Sequence, residues 1–153
     1  MTAEDISSLP DDELDDWLST RMSLVVGEPS AAAVAALPEA QRAYYATRMF
    51  EWEVMNGGLH QYFFNNPDPD LLDLVVEGYR LLSLEGQATV VREVVAPLAT
   101  REAEWRESLR DGTVQSFMDA YVESALPDLD DRIEAHDADR LALVRNHAQV
   151  FAI

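Results

Sequence analysis

The chain has 153 residues, 29 acidic against 11 basic side chains, and a formal net charge of −18. It has about the length of one domain, and a hydrophobic fraction of 48% is ample for a core despite the charge. So acidic a chain lacks the basic footprint of a direct nucleic-acid binder and is repelled by an anionic membrane surface, which leaves basic proteins or cations as its natural partners. Every basic residue is arginine and none is lysine, which we read mainly as codon bias toward G and C. With no cysteine there is no disulfide framework, thiolate metal site or cysteine nucleophile. No basic segment leads into an apolar run at the N-terminus, and no apolar stretch approaches a membrane span, so we expect a soluble cytoplasmic protein.

Residues 1–26 form an acidic helical segment in which Glu4, Asp5, Asp11, Asp12, Glu13, Asp15 and Asp16 face only Arg21. Ser8 or Asp11 is positioned to cap a helix that carries Leu14, Trp17, Leu18 and Met22 at helical spacing. Acids in its first turn suit the helix dipole. Gly27-Glu28-Pro29-Ser30 reads as a turn, and Ala31 to Leu37 as a short helix or a loop. Pro38 and Glu39 then open a helix. From Glu39 to Met55 nearly every angular sector of it holds Ala, Tyr, Met, Phe, Trp or Val, the pattern of a buried helix. Arg48 and Glu51 lie three apart and are expected to pair.

Gly57-Gly58 interrupts that run. Glycine costs about 1 kcal/mol in a helix interior relative to alanine, so two in a row indicate a kink, a helix end or a close backbone approach, here read as letting two central helices cross closely. The amides of Asn56 and Gln61 can bond peptide groups left unpaired by the break. Glu53, as a carboxylate in a buried setting, is expected to take bonds from backbone amides or an arginine. The stretch Glu53-Val54-Met55-Asn56-Gly57-Gly58-Leu59-His60-Gln61-Tyr62-Phe63-Phe64-Asn65-Asn66 resembles the signature of a bacterial domain family long filed under unknown function, whose best-known member is an acidic DNA mimic. The resemblance covers residues 39–153. It implies the fold first, with Glu53, Asn56, Gly57, Gly58, Gln61 and Asn65 as structural residues, and beyond that a protein-binding role and a homodimer.

Asn65 to Asp70 is a turn, and a helix starting at Asp68 or Pro69 runs through Leu71, Leu72, Val75, Val76, Tyr79 and Leu82 to end at Ser83 or Leu84. Glu85-Gly86 starts a further stretch, and the valines of Ala88 to Thr100 recur as pairs four apart, which favours a helix that Pro97 kinks or ends. Arg101 to Arg110 reads as a charged helix resting on Trp105 and Leu109, and Asp111-Gly112-Thr113 as a stop and cap. Val114, Phe117, Met118, Tyr121 and Val122 make another stripe, broken at Leu126-Pro127. A second acidic cluster holds Asp128, Asp130, Asp131, Glu134, Asp137 and Asp139, interrupted by Arg132. Asp137 is placed to cap a last helix through Leu141, Val144, His147, Val150 and Phe151. The fold class is therefore all-α, a single compact domain over residues 1–153 of about six or seven helices, with a Gly-Gly break between two central ones.

No constellation singles out a reaction, and no catalytic residue, metal ligand or cofactor is assigned. His60, His136 and His147 make no pair at a ligand spacing of four, and Asp128, Asp130 and Asp131 lack the glycine and closing glutamate of a calcium loop. There is no Gly-x-Ser-x-Gly elbow and no phosphate-binding loop. What remains is distributed charge. B-form DNA carries about one charge per 1.7 Å of axis, and a rigid helical body that presents carboxylates at similar density can occupy a DNA-binding protein's groove. We expect a non-enzymatic, acidic protein-binding module. Its candidate partner surface is Asp11, Asp12, Glu13, Asp15, Asp16, Asp128, Asp130, Asp131 and Glu134, and its partner is a basic protein such as a transcription regulator. Three alternatives stand beside this: an immunity-like inhibitor of a cationic toxin or nuclease, an enzyme using Glu53, Asn56 and His60 at the break, and an acidic housekeeping domain whose charge serves solubility.

Overall fold

A computed structural model describes residues 1–66, 68, 70–93 and 127–152, and no strand occurs among them. Helix α1 (Ala3–Ser8) opens on a reciprocal cap, in which the Asp5 N–H donates to the Thr2 hydroxyl at 3.2 Å and the Thr2 N–H to the Asp5 carboxylate at 2.8 Å. It stops at Leu9, which is extended at φ −64°, ψ 145° because it precedes Pro10. Helix α2 (Asp11–Val26) starts beyond that proline. The acidic N-terminal segment is thus two helices. Neither expected cap forms: the Ser8 hydroxyl turns back to the Glu4 and Asp5 carbonyls, and Asp11 sits inside the first turn of α2. Leu14, Leu18 and Met22 are buried, and Gly27, at φ 69°, ends the helix. Ser30 caps the short α3 (Ala31–Ala35) through the Ala33 N–H at 3.2 Å, and Asp68 accepts the Ala31 N–H at 2.7 Å.

The long helix α4 (Glu39–Asn65) follows Pro38. Inside it Gly57 (φ −160°, ψ 17°) and Gly58 (φ 78°, ψ 178°) leave helical geometry and the axis kinks. The Gly58 conformation is one that side chains rarely adopt. Helix α5 (Leu71–Leu81) begins a little later than expected and packs against the first half of α4. Their closest approach is at Gly78. A Cβ there would lie 2.8 Å from Thr47 Cγ2 and 3.2 Å from the Ala43 carbonyl oxygen. Among the described residues the tight crossing of central helices is therefore made by Gly78. Gly57 and Gly58 instead face the side chains of Gln61, Asp130 and His60. Ser83, at φ 63°, turns the chain into a further helical stretch, residues 85–93.

The chain resumes in α6 (Pro127–Asp130), α7 (Asp137–Asn146) and α8 (Ala148–Phe151). Asp137 lies within the first turn of α7, and the cap position is His136, which makes no side-chain cap bond. What was expected as one last helix is divided at His147. With these breaks and the four- to six-residue helices α1, α3, α6 and α8, the chain has more helices than the six or seven expected. The expected kink at Pro97, the helix 101–110, the stop at 111–113 and the stripe 114–122 lie outside the described residues.

One contiguous core links α1, α2, α4, α5 and the C-terminal helices. Its aromatic centre is Phe50, whose ring meets Tyr62 edge-on at 4.9 Å and Tyr79 at 6.5 Å between centroids. The C-terminal helices are pinned to α4 and to α1: Gln41 Nε2 donates to the Val150 carbonyl at 2.6 Å, and Arg145 donates to the Ile6 and Leu9 carbonyls at 2.8 and 2.9 Å. Arg145 thereby satisfies carbonyls at the C-terminal end of α1. No helix among the described residues is long and apolar enough to cross a membrane.

Candidate functional site

The acids fall into groups with different surroundings. Glu53, half-buried before the kink, accepts from Gln61 Nε2 at 2.7 Å and Asn65 Nδ2 at 2.9 Å, both beyond the kink. One carboxylate oxygen thus ties the two halves of α4 together. The partners expected from sequence, backbone amides or an arginine, are replaced by two side-chain amides. Asn56 Nδ2 donates to a peptide group as expected, the Trp52 carbonyl at 2.6 Å, whereas the Gln61 amide differs from the expectation in going to the Glu53 carboxylate. Beyond the kink, the Leu59 N–H donates to Asp130 Oδ1 at 2.8 Å. Asp130 is half-buried and acts as a cap, from a distant helix, for the renewed helix.

Glu51 is 2% exposed. It faces Arg140, itself 1% exposed, at 2.5 Å, and also accepts the Tyr79 hydroxyl at 2.8 Å and the His136 N–H at 2.9 Å. Asp137 pairs with the other side of the same guanidinium. Burial works against the Arg140 charge, but Glu51 and Asp137 outweigh it and hold its pKa above the ordinary value. Burial, and then the Glu51 carboxylate, raise the Tyr79 phenol well beyond its ordinary range. The expected Arg48–Glu51 pair does not form. Arg48 instead reaches Asp15 at 3.0 Å and lies over the Trp52 ring at 4.9 Å.

A groove of about 460 Å³ opens where α2, α4 and the segment leading into α7 meet. Asp11, Asp12, Asp15, Asp16 and Asp137 line it together with Trp52 and Met55. Their positions on α2, at spacings of one and four, put the four aspartates on one helical face. Trp52 is 58% and Met55 51% exposed. The helix expected to be buried all round therefore leaves one apolar strip open, because its neighbour on that side is the charged start of α2. Asp15 accepts the Tyr44 hydroxyl at 2.8 Å as well as Arg48, and Asp11 meets Arg145 at 2.5 Å. Asp12 and Asp16 are exposed and make no ion pair among the described residues.

Of the candidate surface acids, then, Asp11, Asp12, Asp15 and Asp16 share one groove. Glu13 is exposed but does not line it, and Asp131 and Glu134 are exposed near the end of α6. The Asp128 side chain lies outside what the structure describes. Asp130 differs from the expectation, being engaged with the α4 backbone. Glu53 lines a second groove with Asp16, Arg48 and Trp52, and neither Asn56 nor His60 lines it or the first one. Among the described residues no group of three or more His, Asp or Glu is placed to hold a metal ion. Sequence reasoning missed the Glu51–Arg140 pair and the groove floor. The first had a signal, a glutamate on a helix whose surroundings read as buried, which requires hydrogen-bond donors or a cation to match it.

A family model described as DMP19-like protein matches residues 35–149. The match spans the kinked helix, Glu51, Arg140 and the groove floor, and begins after α2. Neither the curated proteins nor the solved structures contain a match.

Proposed function

Because the chain belongs to the DMP19-like protein family, a family of DNA mimics, we propose that it binds a basic DNA-binding protein and occupies that protein's DNA-binding surface. The observation that carries this reading is the set of exposed carboxylates that make no ion pair among the described residues, Asp12 and Asp16 foremost, on a chain of net charge −18. A phosphate backbone offers a basic groove the same thing: fixed negative charge on a stiff support. The stiffness here comes from the interior. Leu14, Leu18 and Met22 bury one face of α2, and Asp15 ties it to Tyr44 and Arg48 of α4, so the helix that carries Asp12 and Asp16 is braced. The reading is of a binding protein and not an enzyme, with a homodimer as its expected state. It is supported by the internal engagement of Glu53 and Asn56, which turns both side chains to partners within α4.

The test is capture from lysate at low salt followed by a salt titration. A basic DNA-binding protein should be recovered, and its affinity should fall steeply with salt. Recovery of no basic protein, or of one indifferent to salt, counts against the proposal. Rescue from a co-expressed cationic toxin or nuclease would point instead to an immunity role.

A further inference from the structure

The mimicry reading concerns charge alone, yet the groove is not only charged. Its acids share the lining with an exposed indole and an exposed thioether as well as with Arg48 and Arg140, and a phosphate backbone has no counterpart to the indole or the thioether. An aromatic face beside carboxylates is suited to one side chain above others, the guanidinium. It is planar and weakly hydrated, it stacks on rings, and it pairs bidentately with carboxylates. A lysine ammonium shares the charge but stacks and forks less well. The chain already shows this chemistry on itself. Arg48 lies 4.9 Å from the Trp52 ring centroid while its Nε donates to Asp15 at 3.0 Å. That arrangement uses Asp15 and part of the indole. It leaves Asp12, Asp16 and Met55 open, with Trp52 still more than half exposed.

We propose that this groove is an arginine anchor: a protruding arginine of the basic partner enters it, its guanidinium between Asp12 and Asp16 and its methylenes against Trp52 and Met55. The proposal rests on the DNA-mimic reading and names the partner chemistry that the groove selects. It gives the complex a contact that salt weakens less than it weakens purely charged ones, because stacking and methylene burial are less screened than exposed charge pairs.

The experiment uses the full chain and two probes, an oligo-arginine and an oligo-lysine peptide of equal length. Each is titrated by calorimetry and by following the tryptophan indole N–H signals in two-dimensional NMR, with the Trp52 signal assigned as the one lost in Trp52→Ala. The arginine peptide should bind roughly two- to fivefold more tightly, the range of an exposed cation–π contact, and should shift the Trp52 signal. Trp52→Ala should remove the preference without changing the thermal melt, and Trp52→Phe should restore part of it. Asp12→Asn with Asp16→Asn should weaken both peptides. Equal affinities for the two peptides, a preference that survives Trp52→Ala, or an unmoved Trp52 signal would each overturn the anchor. If the anchor fails while a captured DNA-binding protein is still displaced by duplex DNA, mimicry stands without it. If arginine preference holds but no such protein is captured, the groove binds basic segments of another kind.

Discussion

Glu51 on α4 and Asp16 on α2 carry the same charge, but their surroundings have nothing else in common. Glu51 is sealed in the core with Arg140, the Tyr79 hydroxyl and the His136 N–H around it. Asp16 is exposed, lines a groove and makes no ion pair among the described residues. Desolvating a carboxylate is costly unless each lone pair is matched, so an interior acid forces the chain to supply donors. An exterior acid is stabilised by water and is free to be matched by something else. The acids of this chain are therefore two populations, one holding the helices in place and one presented by them.

The largest expected effect comes from breaking the interior set. Arg140→Met leaves Glu51 buried without its cation and should cost about 3–5 kcal/mol in chemical denaturation. Adding Glu51→Gln should return a large part of that loss, since the stranded charge goes with it. A single-variant loss within ordinary surface scatter would mean the pair does not hold α7 to α4.

Next come the glycines. Gly58→Ala places a Cβ 2.7 Å from the Asp130 carboxylate in a conformation side chains avoid, and should cost about 1–3 kcal/mol. Gly27→Ala has an equally positive φ but nothing within 4 Å, so its cost should be the backbone part alone, about 1 kcal/mol. Equal losses at the two sites would show that the Asp130 cap contributes nothing.

The exterior set should behave in the opposite sense. Asp12→Asn and Asp16→Asn should each alter stability by no more than about 0.5 kcal/mol, with a tendency to stabilise at Asp16, where repulsion in a chain of net charge −18 is relieved, and less so at Asp12, whose place in the first turn of α2 also suits the helix dipole. Added salt should shrink that gain. A clear loss would place these two acids with the interior population.

The smallest effect is a titration. Arg132 forks onto Glu93 at 2.5 and 3.1 Å, and that hydrogen bonding holds the Glu93 pKa below the usual carboxylate range. A depressed folded-state pKa gives a contribution that is complete above the unfolded value and is lost as pH falls through the folded one. Both side chains are well exposed, so the stability change will be slight. In Arg132→Ala the Glu93 carboxyl should titrate higher by NMR.

Much of the architecture was legible because helices announce themselves locally. Periodic apolar residues, prolines at helix starts and Gly57-Gly58 all act within a turn or two of their own position. Even there, Leu9-Pro10 split one expected helix, since the residue before proline is held extended. Long-range features were not legible. Glu51 has arginines nearby in sequence, yet its partner is Arg140, and Arg48 goes to Asp15. The tight helix crossing belongs to Gly78, an isolated glycine whose meaning depends on Ala43 and Thr47 opposite it. Among the candidate surface acids, composition could not separate Asp130, which caps Leu59, from Asp131 beside it, which is exposed.

The central claim is that the outer acids compete for a surface built to hold DNA. The direct measurement takes the captured basic partner bound to a labelled duplex and adds this protein while anisotropy is followed. The account predicts stoichiometric release of the duplex, with Asp12→Asn/Asp16→Asn requiring more protein for the same release. A stable ternary complex, with the duplex still bound at saturating protein, would contradict it.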